Sequence, residues 1–171
     1  MNTIITQKKK NQLFLTIFIS TLLIDQAIKF LSLKYLKDLG EVSFLNGFAK
    51  LIYATNKGAW GSLGSTWPEP LKKMFIIIIP LLVMGWVLYY IITKKDISKH
   101  ELIAYSLIAG GGIGNLIDRI IHSEVIDMFW FGFRGYRFLQ TNIFNAADVF
   151  IMLAFFILVS AEISKYFKKV T

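Results

Sequence analysis

Apolar residues in this chain run on continuously for long stretches. The runs at 13–33, 74–92, 101–121 and 144–164 each approach the roughly 20 residues that a helix needs to cross a hydrocarbon core of about 30 Å. Four transmembrane helices are the prediction. The first run follows Lys8, Lys9 and Lys10 and imitates a secretory leader, but it carries Asp25 and Lys29 and lacks an A-x-A-like cleavage site. It therefore reads as a retained helix. The second run has no ionisable residue in its interior and a single proline, Pro80, where a kink is expected. The third contains Gly110-Gly111-Gly112-Ile113-Gly114, small residues that let helices approach closely inside a membrane. Between the first two runs, residues 34–73 alternate apolar and polar positions in places and are punctuated by glycines, Pro68 and Pro70, the pattern of short strands and turns. Residues 122–143 are crowded with Phe, Trp and Tyr, which suits a segment lying at the membrane–water interface. The fold class expected is an all-α integral membrane protein with four transmembrane helices. A small extracytoplasmic β-rich region sits between the first and second helices, and the whole forms a single membrane domain over 1–171.

Composition agrees with this reading. The chain is 55% hydrophobic and 18% charged, against roughly 45–50% and about 25% for soluble domains. Its net charge of +8 does not point to nucleic acid, because the basic residues form no single patch or stripe. They lie beside the spans instead. Lys8, Lys9 and Lys10, then Lys94, Lys95 and Lys99, then Lys165, Lys168 and Lys169 mark three cytoplasmic segments by the positive-inside rule. Both termini are then cytoplasmic, and 34–73 and 122–143 lie outside. The outer segments also carry cations, among them Lys57, Lys72, Lys73, Arg134 and Arg137. With no cysteine, disulfides, a thiol nucleophile and thiolate metal sites are excluded.

An ionisable side chain inside a span costs about 2.5–3.5 kcal/mol on insertion scales, so each one calls for a partner or a task. At about 1.5 Å per residue, Asp25 and Lys29 fall in the outer half of the first helix. Asn115, Asp118 and Arg119 come at the outer end of the third, and Asn145 and Asp148 in the outer first turn of the fourth. Asp127 and Asn56 lie at about that level in the outer segments. Most of these have a structural reading as well. Asp25 and Lys29 are spaced for an i,i+4 ion pair. Asp118-Arg119 fits an interfacial charge pair. Asn145 suits an N-cap with Asp148 at N3, and Asn56 sits in a Gly-rich turn. Asp127 has no local partner in the sequence.

No close His pair supports a metal site, and no Ser-His-Asp set forms at one depth. Carboxylates remain. Two Asp side chains brought together share a proton, one acting as base on water while the other, protonated, polarises a carbonyl; spacing alone leaves open which two meet. A proton relay through Asp25, Lys29 and Asp118 would make a small proton-coupled transporter or channel subunit, but a relay has to continue inward. Apart from Glu101 and Glu162 close to the span ends, the inner halves of the spans carry no charged residue.

The set Asp25-Gln-Ala-Ile-Lys29, Asn56-Lys-Gly58-Ala, Gly114-Asn-Leu-Ile-Asp-Arg119, Val125-Ile-Asp127 and Phe144-Asn-Ala-Ala-Asp148 resembles the lipoprotein signal peptidase (signal peptidase II) family, in order and over essentially the whole chain. The resemblance implies an aspartyl endopeptidase of the bacterial cytoplasmic membrane, its active site near the extracytoplasmic face. Such an enzyme removes signal peptides from lipid-modified prolipoproteins just before the diacylglyceryl-modified Cys. It implies Asp127 and Asp148 as the catalytic pair. Asp25, Lys29, Asn56, Gly58, Asn115, Asp118, Arg119 and Asn145 would shape the site or hold substrate. The expected partners are a lipid-modified prolipoprotein substrate and membrane lipids, with a monomeric enzyme, no cofactor and no metal. The one departure of note is Asn56-Lys-Gly-Ala-Trp60, one small residue short before the aromatic.

Overall fold

The computed structural model describes residues 6–59, 63–133 and 137–170. Trp60 and Arg134 lie outside the described residues, as does the Arg137 side chain. Four long helices are present among the described residues: α1 (Gln7–Leu39) and α2 (Glu69–Thr93), then α3 (Lys99–His122) and α4 (Ala146–Val170). Each of the first two contains one π-turn, at Ser32–Leu36 and Met74–Ile78. Of these helices α1, α2 and α4 are long and apolar enough to cross a membrane. Large apolar side chains such as Leu23, Leu82, Ile92 and Phe156 point outward on all three, a surface suited to lipid and costly in water.

α3 is less apolar because of where it sits. It packs against α1, α2 and α4, and its buried positions run from Leu102 to Asp118. A helix enclosed by protein needs small and polar side chains that would be expensive against lipid. Its start is fixed by a reciprocal cap, with Ser98 Oγ accepting from the Glu101 N–H and the Glu101 carboxylate from the Ser98 N–H. Two of its glycines set the packing distance. A methyl group at Gly111 would stand 2.8 Å from the Ala147 carbonyl oxygen of α4, and one at Gly110 2.7 Å from Thr21 Cβ of α1. Gly111→Ala is therefore expected to wedge α3 from α4 and cost about 1–3 kcal/mol, read as an earlier thermal unfolding transition in detergent.

The sheet is where the structure departs from the pattern-based expectation. Strands β1 (Glu41–Phe44) and β2 (Ala49–Asn56) form a hairpin in the region between α1 and α2, as the alternation predicted. A third strand, β3 (Val125–Phe131), comes from the aromatic segment after α3 and pairs antiparallel with β2, from Asn56↔Val125 to Ala49↔Phe131. The order is β1-β2-β3. The hairpin turns through Leu45, Asn46 and Gly47, all with positive φ, a conformation that glycine adopts without steric cost. β3 leads toward α4, with Phe144 bridging Phe129, so the sheet carries Asp127 to the end of the helices where α3 stops and α4 begins. At the opposite end the buried Lys10 donates to the Lys94 carbonyl oxygen at 2.9 Å, closing the C-terminus of α2.

Candidate active site

The site is built on one buried cation. Lys29 is 2% exposed, and its ammonium group donates to Asp25 Oδ2 at 2.9 Å, Asp118 Oδ2 at 2.9 Å and Asn115 Oδ1 at 2.8 Å. Three donors meet three acceptors from two helices. The carboxylates pass this order on. Asp25 Oδ1 accepts from the Ala147 N–H in the first turn of α4 at 2.9 Å, and Asp118 Oδ2 from the Ile126 N–H of β3 at 3.2 Å. Gln26, which lies inside the Asp25–Lys29 motif without having been assigned to the site, donates from Nε2 to Asp25, to Asp118 and to the Gly114 carbonyl oxygen. Its signals were that place in the motif and a lone amide in an apolar run. Removing the cation leaves two carboxylates buried without compensation. Lys29→Met is thus expected to cost about 3–5 kcal/mol, seen as a large fall in the unfolding temperature or loss of folded protein on extraction.

Above this base, two asparagines position the remaining carboxylates. Asn115 Nδ2 donates to Asp148 Oδ1 at 3.2 Å. Asn145 Nδ2 donates to Asp127 Oδ1 at 2.7 Å and to Asn115 Oδ1 at 3.2 Å. Asn145 is also the N-cap of α4: its Oδ1 accepts from the Asp148 N–H at 3.0 Å, and Asp148 Oδ2 accepts from the Asn145 N–H at 3.2 Å. The capping arrangement that the sequence offered as the structural alternative is present, and it ties the Asp148 carboxyl to the same residue that holds Asp127. One residue serves both.

Asn56 likewise fills both of its readings. Its Oδ1 accepts from the Gly58 N–H at 2.9 Å and its Nδ2 donates to the Ala59 carbonyl oxygen at 3.2 Å, forming the expected turn, and its side chain is near enough to the Asp127 carboxyl to lower that group's pKa. Arg119 is not paired with its neighbour Asp118 as an interfacial couple. It reaches the Gly58 carbonyl oxygen with Nη2 at 3.1 Å and pins that turn to α3. The ten residues singled out from the sequence, Asp25, Lys29, Asn56, Gly58, Asn115, Asp118, Arg119, Asp127, Asn145 and Asp148, thus belong to one connected network.

Within it the two upper carboxyls differ in setting. Asp127 is 5% exposed. Burial, with the Asp148 charge as a further cause, pushes its pKa up to about 6 against the hydrogen bond from Asn145 and the nearby Asn56 side chain. Asp148 is half-buried and opens on a groove of about 990 Å³ walled by Phe131, Phe144, Ile151, Met152 and Phe155. The arrangement offers a carboxyl of raised pKa and, held by the same asparagine, a second carboxyl at the edge of an apolar groove.

The Peptidase_A8 family profile, signal peptidase (SPase) II, matches residues 17–164. The lipoprotein signal peptidase of Borrelia hermsii is 35% identical over 135 residues, covering 76% of this chain and 77% of that one. The lipoprotein signal peptidase of Streptococcus pyogenes serotype M2 is 34% identical over 151 residues, covering 88% and 92%. A solved structure described as a bacterial membrane enzyme superposes with a TM-score of 0.76 at 22% identity, covering 97% of this chain and 94% of that chain, and so shares the fold. The chain belongs to the signal peptidase II family.

Proposed function

We propose that the chain is a membrane aspartyl endopeptidase that cuts diacylglyceryl-modified prolipoproteins just before the lipidated Cys, with Asp127 and Asp148 as its catalytic pair. The observation that carries this is Asn145. It holds Asp127 through its side chain and Asp148 through its backbone, while Asp148 faces an apolar groove. The pair shares one proton and titrates as a unit. Its ionised member takes a proton from water as that water attacks the scissile carbonyl carbon. Its protonated member hydrogen-bonds the carbonyl oxygen and stabilises the tetrahedral intermediate. Collapse of the intermediate breaks the C–N bond, and a proton passes to the amine of the lipidated Cys. Asn115 and Asn145 keep both carboxyls in register, and the buried ion network below fixes the helices that carry them.

The apolar groove suits the hydrophobic substrate segment, with Phe131 at the end of β3, Phe144, and Ile151, Met152 and Phe155 of α4 as walls. α3 forms a fourth span, shielded by the other three helices. The basic groups that share one end of the bundle support a cytoplasmic location for both termini: Lys10 meets Lys94, and Lys94 and Lys165 both approach Glu101. The catalytic pair then lies near the outer face of the bacterial cytoplasmic membrane in a monomeric enzyme. The test is a gel-shift assay with purified protein and a prolipoprotein offered with and without its diacylglyceryl group. Cleavage of the lipidated form alone is expected; equal cleavage of both would contradict the substrate assignment.

A further inference from the structure

Beside the catalytic end of the bundle lies a second cavity, of about 400 Å³, between the start of α2 and the end of α3. Its polar mouth carries Lys57, Lys72, Lys73 and Arg119 against two carboxylates, Glu69 and Glu124. The charges are not balanced locally. Lys72, 9% exposed, is tied to Glu69 at 3.0 Å, but neither Lys57 nor Lys73 makes an ion pair among the described residues. Arg119 Nε is buried without a hydrogen-bond partner. The lining also has an apolar part, Ile76 and Ile77, in the same helix that is long and apolar enough to cross a membrane. These cations are also among those that run against the charge bias of the sequence, in which lysines gather at the other end of the helices.

We propose that this cavity binds the phosphate group of an anionic membrane lipid. The cations hold the phosphodiester at headgroup depth, and the acyl chains run down past Ile76 and Ile77. A lipid satisfies both the charged mouth and the apolar wall, whereas a free phosphate satisfies the mouth alone. Basic pockets between membrane helices take lipid headgroups in this way. Arg119 lines the cavity and also pins the Gly58 turn, so the bound lipid sits one side chain from the Asn56 loop. The proposal concerns binding and does not depend on the peptidase reading.

The test is native mass spectrometry of the full chain released from detergent with phosphatidylglycerol, with phosphatidylcholine, and with inorganic phosphate. Wild type is expected to retain one phosphatidylglycerol at least fivefold more strongly than phosphatidylcholine. Lys57→Gln/Lys72→Gln/Lys73→Gln should lose that preference, each lysine contributing about fivefold. Lys8→Gln/Lys9→Gln/Lys168→Gln, at the other end, should keep it. Equal retention of the two lipids, or a preference unchanged in the first triple variant, would overturn the site. Saturation by inorganic phosphate at the same concentration would overturn the lipid as its source. Circular dichroism of the variants separates loss of the site from loss of the fold.

Discussion

Asp127→Asn is expected to be at once inactive and more stable at neutral pH. The carboxyl is buried and has a pKa near 6 against an ordinary value of 3.8, so the folded protein holds this proton more tightly than the unfolded chain does. Its contribution to stability is therefore fully present below about pH 3.8 and is lost as pH rises through 6. Above that, the ionised form sits in the folded site at a cost. A shift of this size corresponds to roughly 3 kcal/mol at most. Asparagine removes the cost and keeps an oxygen for the Asn145 amide to donate to. Thermal unfolding in detergent should show the variant several degrees above wild type at pH 7.5, with the difference closing by pH 4. Peptidase activity should fall by about 10³-fold, within the range for loss of an acid–base group. A carboxylate whose role was to hold the sheet to α4 would give the opposite stability result. Stability gained at the expense of activity marks a residue kept for chemistry.

Asp148→Asn should fall as far in activity with a different stability signature. Asp148 stands at N3 of α4, where its charge favours the helix dipole and accepts from the Asn145 N–H. Asparagine keeps an acceptor there but loses the charge, so a cost of about 0.3–1 kcal/mol is expected. The fold survives because Asn145 still caps the helix through Oδ1. Activity should drop by about 10³-fold or more, measured as initial cleavage rates of the lipidated substrate at pH 6 and pH 7.5. The two variants are thus separable by calorimetry while alike in activity.

The long helices were legible because continuous apolar runs need no tertiary context, and the shared level along the bundle at which three of them carry polar residues followed from length and rise alone. The β1–β2 hairpin was legible from alternation. β3 was not: from Val125 to Met128 every residue is buried, so the strand faces protein on both sides, and Val-Ile-Asp-Met-Phe-Trp-Phe shows no period of two. The Asp25–Lys29 pair could be read from i,i+4 spacing. The further bonds of Lys29 to Asn115 and Asp118 cross 86 and 89 residues of sequence (|i−j| = 86 and 118 − 29), and local pattern does not reach that far. Arg119 hid its partner for another reason: it binds a backbone carbonyl, which has no sequence signature. Lys10 read as a topology signal and proves also to be a buried helix cap. The choice of Asp127 and Asp148 from several outer carboxyls came from the resemblance and is the proposal tested below; what the structure adds is that Asp25 and Asp118 are both paired with Lys29.

The central claim is that Asp127 and Asp148 act as one unit. The direct measurement compares cleavage rates of the lipidated substrate by wild type, Asp127→Asn, Asp148→Asn and the double variant. Groups that work as a unit are strongly non-additive. The double variant should therefore be no slower than either single one, within about threefold, all three being about 10³-fold below wild type. Losses that multiply in the double variant, or a single variant that keeps more than a tenth of the wild-type rate, would contradict the account.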